Sequence, residues 1–222
     1  MVRRTKEDAL ATRERLLDTA EQVFLARGVT RSSLQDIAVA AGVTRGAIYW
    51  HFKDKVDLFE AMMARVSMPC EQAVLEIDQR GSEDELSDLR EFALVPLRRM
   101  AADERTRRVF AIAMHHTEYT AEMEPVRERH LEAMENYRQR MEQHLARARR
   151  AGRLSAAVSP RAASLALHAM VDGLLMHATL ARDVPDVIRT ATQAIDTFLD
   201  GLRAMGHVDA AAKRPSTTRR TA

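Results

Sequence analysis

Residues 45–55 (RGAIYWHFKDK) concentrate side chains that can hold nucleic acid. Arg45, in the first turn of a helix, can donate two parallel hydrogen bonds to O6 and N7 of a guanine. Tyr49 and His51, near the end of that helix, can donate to phosphate oxygens. Lys55, where the next helix begins, can join its charge to that helix's free N–H groups on one phosphate. Trp50 and Phe52 are expected to pack inward against neighbouring helices. Other chemistry is thinner. His115 and Glu118 stand three apart and share a helix face, but no third metal ligand is evident, since His130 and His144 fall on another helix. No metal is assigned. Cys70 is flanked by Pro69, Glu71 and Gln72, with no cation to lower its pKa, and a structural role is expected. There is no glycine-rich phosphate loop, nucleophile elbow or HExxH pattern, so no enzyme is read here.

These side chains need two short helices to hold them. Ser32 or Ser33 can cap the first, with Gln35 or Asp36 completing a capping box. Leu34, Ile37, Ala38 and Ala41 form its apolar stripe. Gly42 can end it by entering the left-handed conformation. Thr44 caps the second helix, whose inward face is Ala47, Ile48 and Phe52. Two helices at this spacing form a helix-turn-helix, whose second helix lies in the major groove. Any helical hairpin of an all-α protein would share the spacing; the basic and hydroxyl groups favour DNA.

The stretch AGVTRGAIYWHFKDK, preceded by SLQDIA and followed by VDLF, resembles the DNA-binding domain of TetR-family repressors, most closely the subgroup that governs multidrug efflux pumps. The likeness runs from VRRTKEDALATRERLLDTAEQVFLARGV through RTRRVF, HHTEYTAEM and YRQRMEQHLARARRAG to AMVDGLL. It implies DNA contact by Ser33, Thr44, Arg45, Gly46, Tyr49, His51 and Lys55. It also implies a C-terminal pocket for a small hydrophobic or aromatic inducer, lined by Phe92, Pro96, Phe110, Met114, Tyr137, Met141, His168, Val171, Asp172 and Leu175. Phe110, Met114 and His168 depart from the subgroup's pattern, which leaves the ligand spectrum open. No cofactor is implied.

The rest of the chain supports an all-α fold. The 222 residues are 46% hydrophobic and 30% charged, with only eight glycines and six prolines, a composition that favours helix. About nine helices are expected, near 8–27, 34–41, 45–52, 55–79, 89–100, 104–118, 125–151, 160–180 and 185–206. A polar loop is expected at 81–88, and Pro96 is expected to kink the fifth helix. Residues 1–54 would form the helix-turn-helix domain and 55–206 the ligand-binding and dimerisation domain. Residues 207–222 would be a disordered basic tail. The net charge of +2 is weak evidence by itself; the clustering of Arg3, Arg4, Lys6, Arg13 and Arg15 near Arg45, Lys53 and Lys55 is stronger. No apolar run approaches ~20 residues, so no membrane span is expected. No secretory pattern opens the chain, and a cytoplasmic home fits.

Helices eight and nine present Leu167, Met170, Val171, Leu174 and Leu175, then Val187, Ile188, Ala191, Ile195, Phe198 and Leu199. That is more apolar surface than one core needs, and a four-helix contact between two copies would cover it. Twelve methionines suit a deformable pocket, although each one singly reads as core filling. Asp172 interrupts the apolar face of helix eight and must find a partner or a ligand. The expected function is a dimeric repressor on a palindromic operator, released when a ligand moves helices six and seven and tilts the fourth. A regulator of some other operon, and a helical interaction module that never touches DNA, remain as alternatives.

Overall fold

A computed structural model describes residues 6–80, 84–181 and 183–212, with side chains described as far as 205. Arg3, Arg4, residues 81–83 of the expected loop and the tail from Lys213 lie outside those residues. Among the described residues there are nine α-helices and no strand: α1 (Lys6–Arg27), α2 (Leu34–Ala40), α3 (Arg45–His51), α4 (Lys55–Gln79), α5 (Glu85–Ala102), α6 (Glu104–His115), α7 (Glu124–Arg150), α8 (Pro160–Leu180) and α9 (Val184–Ala212).

Local chemistry sets most boundaries. Gly28, Gly42 and Gly152 all hold positive φ, at 81°, 67° and 73°, and each follows a helix as its stop. Ser33 caps α2 in a reciprocal box with Asp36: the Asp36 N–H donates to Ser33 Oγ at 3.1 Å and the Ser33 N–H to Asp36 Oδ2 at 2.9 Å. The Ser33 hydroxyl, which donates to Asp36 Oδ2 at 2.5 Å, and the Ser33 N–H hold the Asp36 carboxyl below its ordinary range. Thr44, Asp54 and Ser159 cap α3, α4 and α8, and Pro160 opens α8.

Three boundaries differ from expectation. Helix α5 starts at Glu85, because Asp84 accepts from the N–H groups of Leu86 and Ser87. It then runs unbroken through Pro96. Helix α6 stops at His115 rather than near residue 118. Thr117 Oγ1 donates to the Ile112 carbonyl at 2.9 Å, and the His116 carbonyl is taken by Val29. Helix α9 passes Gly206 and reaches Ala212. One glycine costs only about 1 kcal/mol inside a helix, and alanines follow it.

Two cores form. The first joins Leu16, Leu17, Ala20 and Phe24 of α1 to Ile37, Ala38, Ile48, Phe52, Leu58, Phe59 and Met62. Val109 and Ile112 of α6 and Val126 of α7 belong to it as well. The second runs from Val74 and Ile77 of α4 through α5, α7, α8 and α9. Helix α4 therefore belongs to both. Helix α8 alone among the described helices is long and apolar enough to cross a membrane by length and composition. Its inward face, Leu167, Val171, Leu175 and Ala178, packs in the second core. Its other side leaves Leu165, Met176 and Leu180 exposed.

Candidate nucleic-acid interface and regulatory core

Helix α3 is held from behind by Ile48 and the following Phe52, both sealed in the first core. Its opposite side is open. Arg45, Gly46, Tyr49 and Trp50 are exposed. The Arg45 guanidinium lies over the Tyr49 ring, 5.5 Å from its centroid, and makes no ion pair among the described residues. The Ala47 N–H donates to Thr44 Oγ1 at 3.2 Å. A Cβ added at Gly46 would meet nothing within 4 Å, so nothing in the chain itself demands glycine there. Trp50 corrects the sequence reading: it is 73% exposed and stacks edge-on against half-buried His51 at 4.6 Å. The inward slot is filled by Phe52, over which Arg13 lies at 5.1 Å.

Lys55 behaves unlike the other basic groups. Its side chain turns away from the outer face and is only 7% exposed. The ammonium meets Glu122 Oε2 at 2.8 Å and donates to the Thr30 carbonyl at 3.4 Å. Thr30 precedes α2, while Glu122 lies in a 3-10 turn, Ala121–Met123, between α6 and α7. This pairing had no local signature in the sequence.

The residues expected to line the inducer pocket fall together in or against the second core. Phe92 and Tyr137 stack at 4.5 Å, and the Tyr137 hydroxyl donates to the Phe92 carbonyl at 3.0 Å. His168 lies 5.6 Å from the Tyr137 ring, and its Nε2 is 3.7 Å from Asp172 Oδ2. Pro96, Met141, Val171 and Leu175 are buried, and Phe110 and Met114 are half-buried against the same core. Burial raises the Asp172 carboxyl above its usual range, with His168 and His130 pulling the other way. Burial also raises the Tyr137 phenol. Cys70 packs nearby with its thiol pushed up by burial, although Arg99 of α5 supplies the opposing cation that the chain neighbours lack.

His115 does not pair with Glu118; its Nε2 is 2.7 Å from Thr179 Oγ1, joining α6 to α8. Glu85, Asp88 and His144 have the spacing of a metal site among the described residues. Yet the Arg147 guanidinium sits 2.9 Å from His144 Nδ1 and 2.8 Å from Glu85 Oε1. A cation already occupies that corner, and Asp78 holds His144 Nε2 at 3.0 Å. The group reads as an ion-pair staple of α4, α5 and α7.

The ion pairs that tie α1 to α4 and α6 were also missed by sequence reasoning. Glu21 of α1 is 1% exposed and meets Arg65 of α4 at 3.0 Å and Arg108 and Arg105 of α6 at 2.9 and 3.5 Å. Asp18 pairs with Arg65 at 2.7 Å and Arg105 at 2.9 Å. Three arginines on the regulatory helices thus converge on α1.

Residues 16–62 match the family model for bacterial regulatory proteins of the tetR family. Residues 84–204 match that for the C-terminal region of MAATS-type transcriptional repressors. The chain is 36% identical to the HTH-type transcriptional regulator TtgR of Pseudomonas putida, over 91% of this chain and 97% of that protein. Its fold is similar to that of NalD, the secondary repressor of the MexAB-OprM multidrug efflux pump in Pseudomonas aeruginosa. The TM-score is 0.76 at 35% identity, over 87% of this chain and 98% of NalD. It is also similar to SmeT, repressor of a Stenotrophomonas maltophilia efflux pump, in complex with triclosan. There the TM-score is 0.73 at 32% identity, over 86% of this chain and 91% of SmeT. An exposed reading helix on a sealed support, joined to a second helical core, is thus met in both sequence and fold, and this chain belongs to the TetR family of bacterial regulatory proteins.

Proposed function

We propose that this protein is a homodimeric repressor that binds a palindromic operator, controls a multidrug efflux operon and releases DNA when a small hydrophobic or aromatic molecule enters its second core. The observation that carries the reading is the open face of α3, where Arg45, Tyr49 and Trp50 project while Ile48 and Phe52 fix the helix from behind. Arg45 has the reach for a guanine edge, and Trp50 offers an apolar face to a thymine methyl. Gly46 leaves room for close approach of DNA. Ser33 and Thr44, at the starts of α2 and α3, can meet phosphates with their caps.

Two copies are needed for a palindrome, with half-sites roughly 34–36 Å apart. The exposed Leu165, Met176 and Leu180 of α8 and Met205 of α9 supply apolar surface that a second copy would cover. The inducer would separate the stacked Phe92, Tyr137 and His168 and take a hydrogen bond or charge from Asp172. Because burial already disfavours the Asp172 carboxylate, a ligand donor or cation there is rewarded. Displacement of α6 then reaches α1 through the arginines on Glu21. A coupling of ~1–3 kcal/mol would weaken operator binding roughly 5–150-fold.

The test is binding to the DNA upstream of the protein's own gene at two salt concentrations, with and without triclosan, the ligand held by SmeT. Salt-sensitive binding that triclosan or a related apolar aromatic weakens supports the reading. Binding that is absent at low salt rejects it.

A further inference from the structure

We infer that Glu122 competes with operator phosphate for Lys55, so that the regulatory core sets DNA affinity at this one contact. This rests on the proposed DNA-binding role of α2 and α3. Lys55 is the first residue of α4, next to the N–H groups that would face a phosphate, yet its ammonium is withdrawn. It lies between Glu122 Oε2 at 2.8 Å and the Thr30 carbonyl at 3.4 Å. The two acceptors come from distant parts of the chain that meet at the edge of the first core, beside Val29 and Met123. Thr30 belongs to the turn between α1 and α2. Glu122 belongs to the connection that leaves α6 and enters α7, the helices that close on the inducer cluster.

The pair is poised rather than sealed. Glu122 is 54% exposed and Lys55 only 7%, so the carboxylate can leave into water while the lysine stem stays packed. No side-chain cap fixes the 3-10 turn that carries Glu122. Thr30 itself and Thr120, two residues before Glu122, each hold a buried hydroxyl with no hydrogen-bond partner among the described residues. Unsatisfied buried hydroxyls carry a cost, which narrows the gap to an arrangement with Lys55 swung outward. The other carboxylates nearby are committed elsewhere: Asp57 Oδ2 accepts from the Lys53 backbone N–H, and Glu60 pairs with Arg129. A carboxylate and a phosphate oxygen offer the ammonium the same chemistry, so one excludes the other. Movement of the α6–α7 connection toward Lys55 withholds the ammonium; movement away releases it to DNA. By reciprocity, DNA that captures Lys55 frees Glu122 and favours the released state of that connection.

The test compares wild type, Glu122→Gln, Lys55→Met and the double variant on a palindromic duplex selected against the wild-type protein, across a salt series. Glu122→Gln should bind about two- to fivefold more tightly at low salt, the range of a single weakly screened ion pair. Its log–log salt slope should steepen by about one phosphate contact, roughly 0.9. On the Lys55→Met background, Glu122→Gln should change neither quantity. Affinity that is unchanged or lower in Glu122→Gln, or a gain that persists without Lys55, overturns the competition while leaving the wider reading intact. Failure of the wild type to prefer any duplex overturns both. Lys55→Met keeps the apolar stem, and thermal melts of all four proteins separate folding losses from binding effects.

Discussion

The backbone N–H of Val29 donates to the carbonyl of His116 across 2.8 Å, tying the turn after α1 to the C-terminus of α6. A carbonyl at a helix end has no partner within its own helix, and here it takes one from the reading domain. A Cβ added at Gly28 would lie 3.5 Å from the same oxygen. The α1–α3 region therefore meets α4, α6 and the α6–α7 connection through backbone, through three arginines on Glu21 and through Lys55 on Glu122. Any shift of the α6 terminus must strain or break these contacts, which gives the proposed coupling a physical route.

Arg45→Ala should cost ~1–3 kcal/mol of operator affinity and relax preference at one base pair in each half-site. Fluorescence anisotropy against a set of singly substituted operators measures both. Equal losses on every sequence would move Arg45 from base reading to phosphate contact.

Trp50→Ala should weaken operator binding while leaving stability within about 0.5 kcal/mol, because the side chain is 73% exposed. A thermal melt alongside the binding curve checks this. A large loss of Tm would mean that the indole supports the fold after all.

Glu21→Gln should destabilise the protein by about 2–3 kcal/mol. Removing one partner of a buried ion pair costs ~3–5 kcal/mol, and the part-exposure of Arg105 and Arg108 lowers that. Denaturant unfolding is the measurement. The variant should also respond less to inducer, since α6 then pulls on α1 through fewer contacts.

Asp172→Asn should alter the inducer response and leave ligand-free DNA affinity intact. It should also raise Tm near neutral pH. The Asp172 carboxyl is raised by burial, so ionising it costs more in the folded state than in the unfolded. The wild type loses that stability as pH climbs from below the ordinary aspartate value, 3.8, through the raised folded value. The Asn variant is spared the loss, so its advantage should shrink as pH falls toward about 4. An advantage independent of pH would mean that the gain comes from packing.

Leu165→Asp combined with Leu180→Asp should yield a monomer by light scattering and abolish tight binding to a two-half-site operator. Both leucines are exposed in the single chain, at 58% and 68%. A variant that stays dimeric would place the interface on another face.

What was legible in the sequence was local. The Ser33–Asp36 box, the Thr44 cap, the Gly42 turn and the Ser159–Pro160 start act over at most four residues, and their signals sit in the residues that make them. Periodicity also separated Ile48 and Phe52 from the outer face of α3. It failed for Trp50, because a large apolar side chain normally reads as core, and here it stands outside on the face proposed to meet DNA. Lys55 pairs with a residue 67 positions away (122 − 55), and Glu21 is met by arginines 44 and 87 positions on. Such pairs depend on how helices pack and leave no trace in local spacing. The end of α9 has no clear local mark: Gly206 reads as a stop, while the alanine run 210–212 behind it favours continuing the helix.

Trp50 is the sole tryptophan of the chain and stands on the face proposed to enter the groove, so its emission reports the central claim directly. Titration with a palindromic duplex should change that emission saturably, with an endpoint at a whole number of dimers per duplex. The midpoint should move to higher concentration as salt rises, and a scrambled duplex should need far more DNA. Emission that stays constant at low salt, while Trp50 remains open to a soluble quencher in the presence of excess operator, would contradict the account.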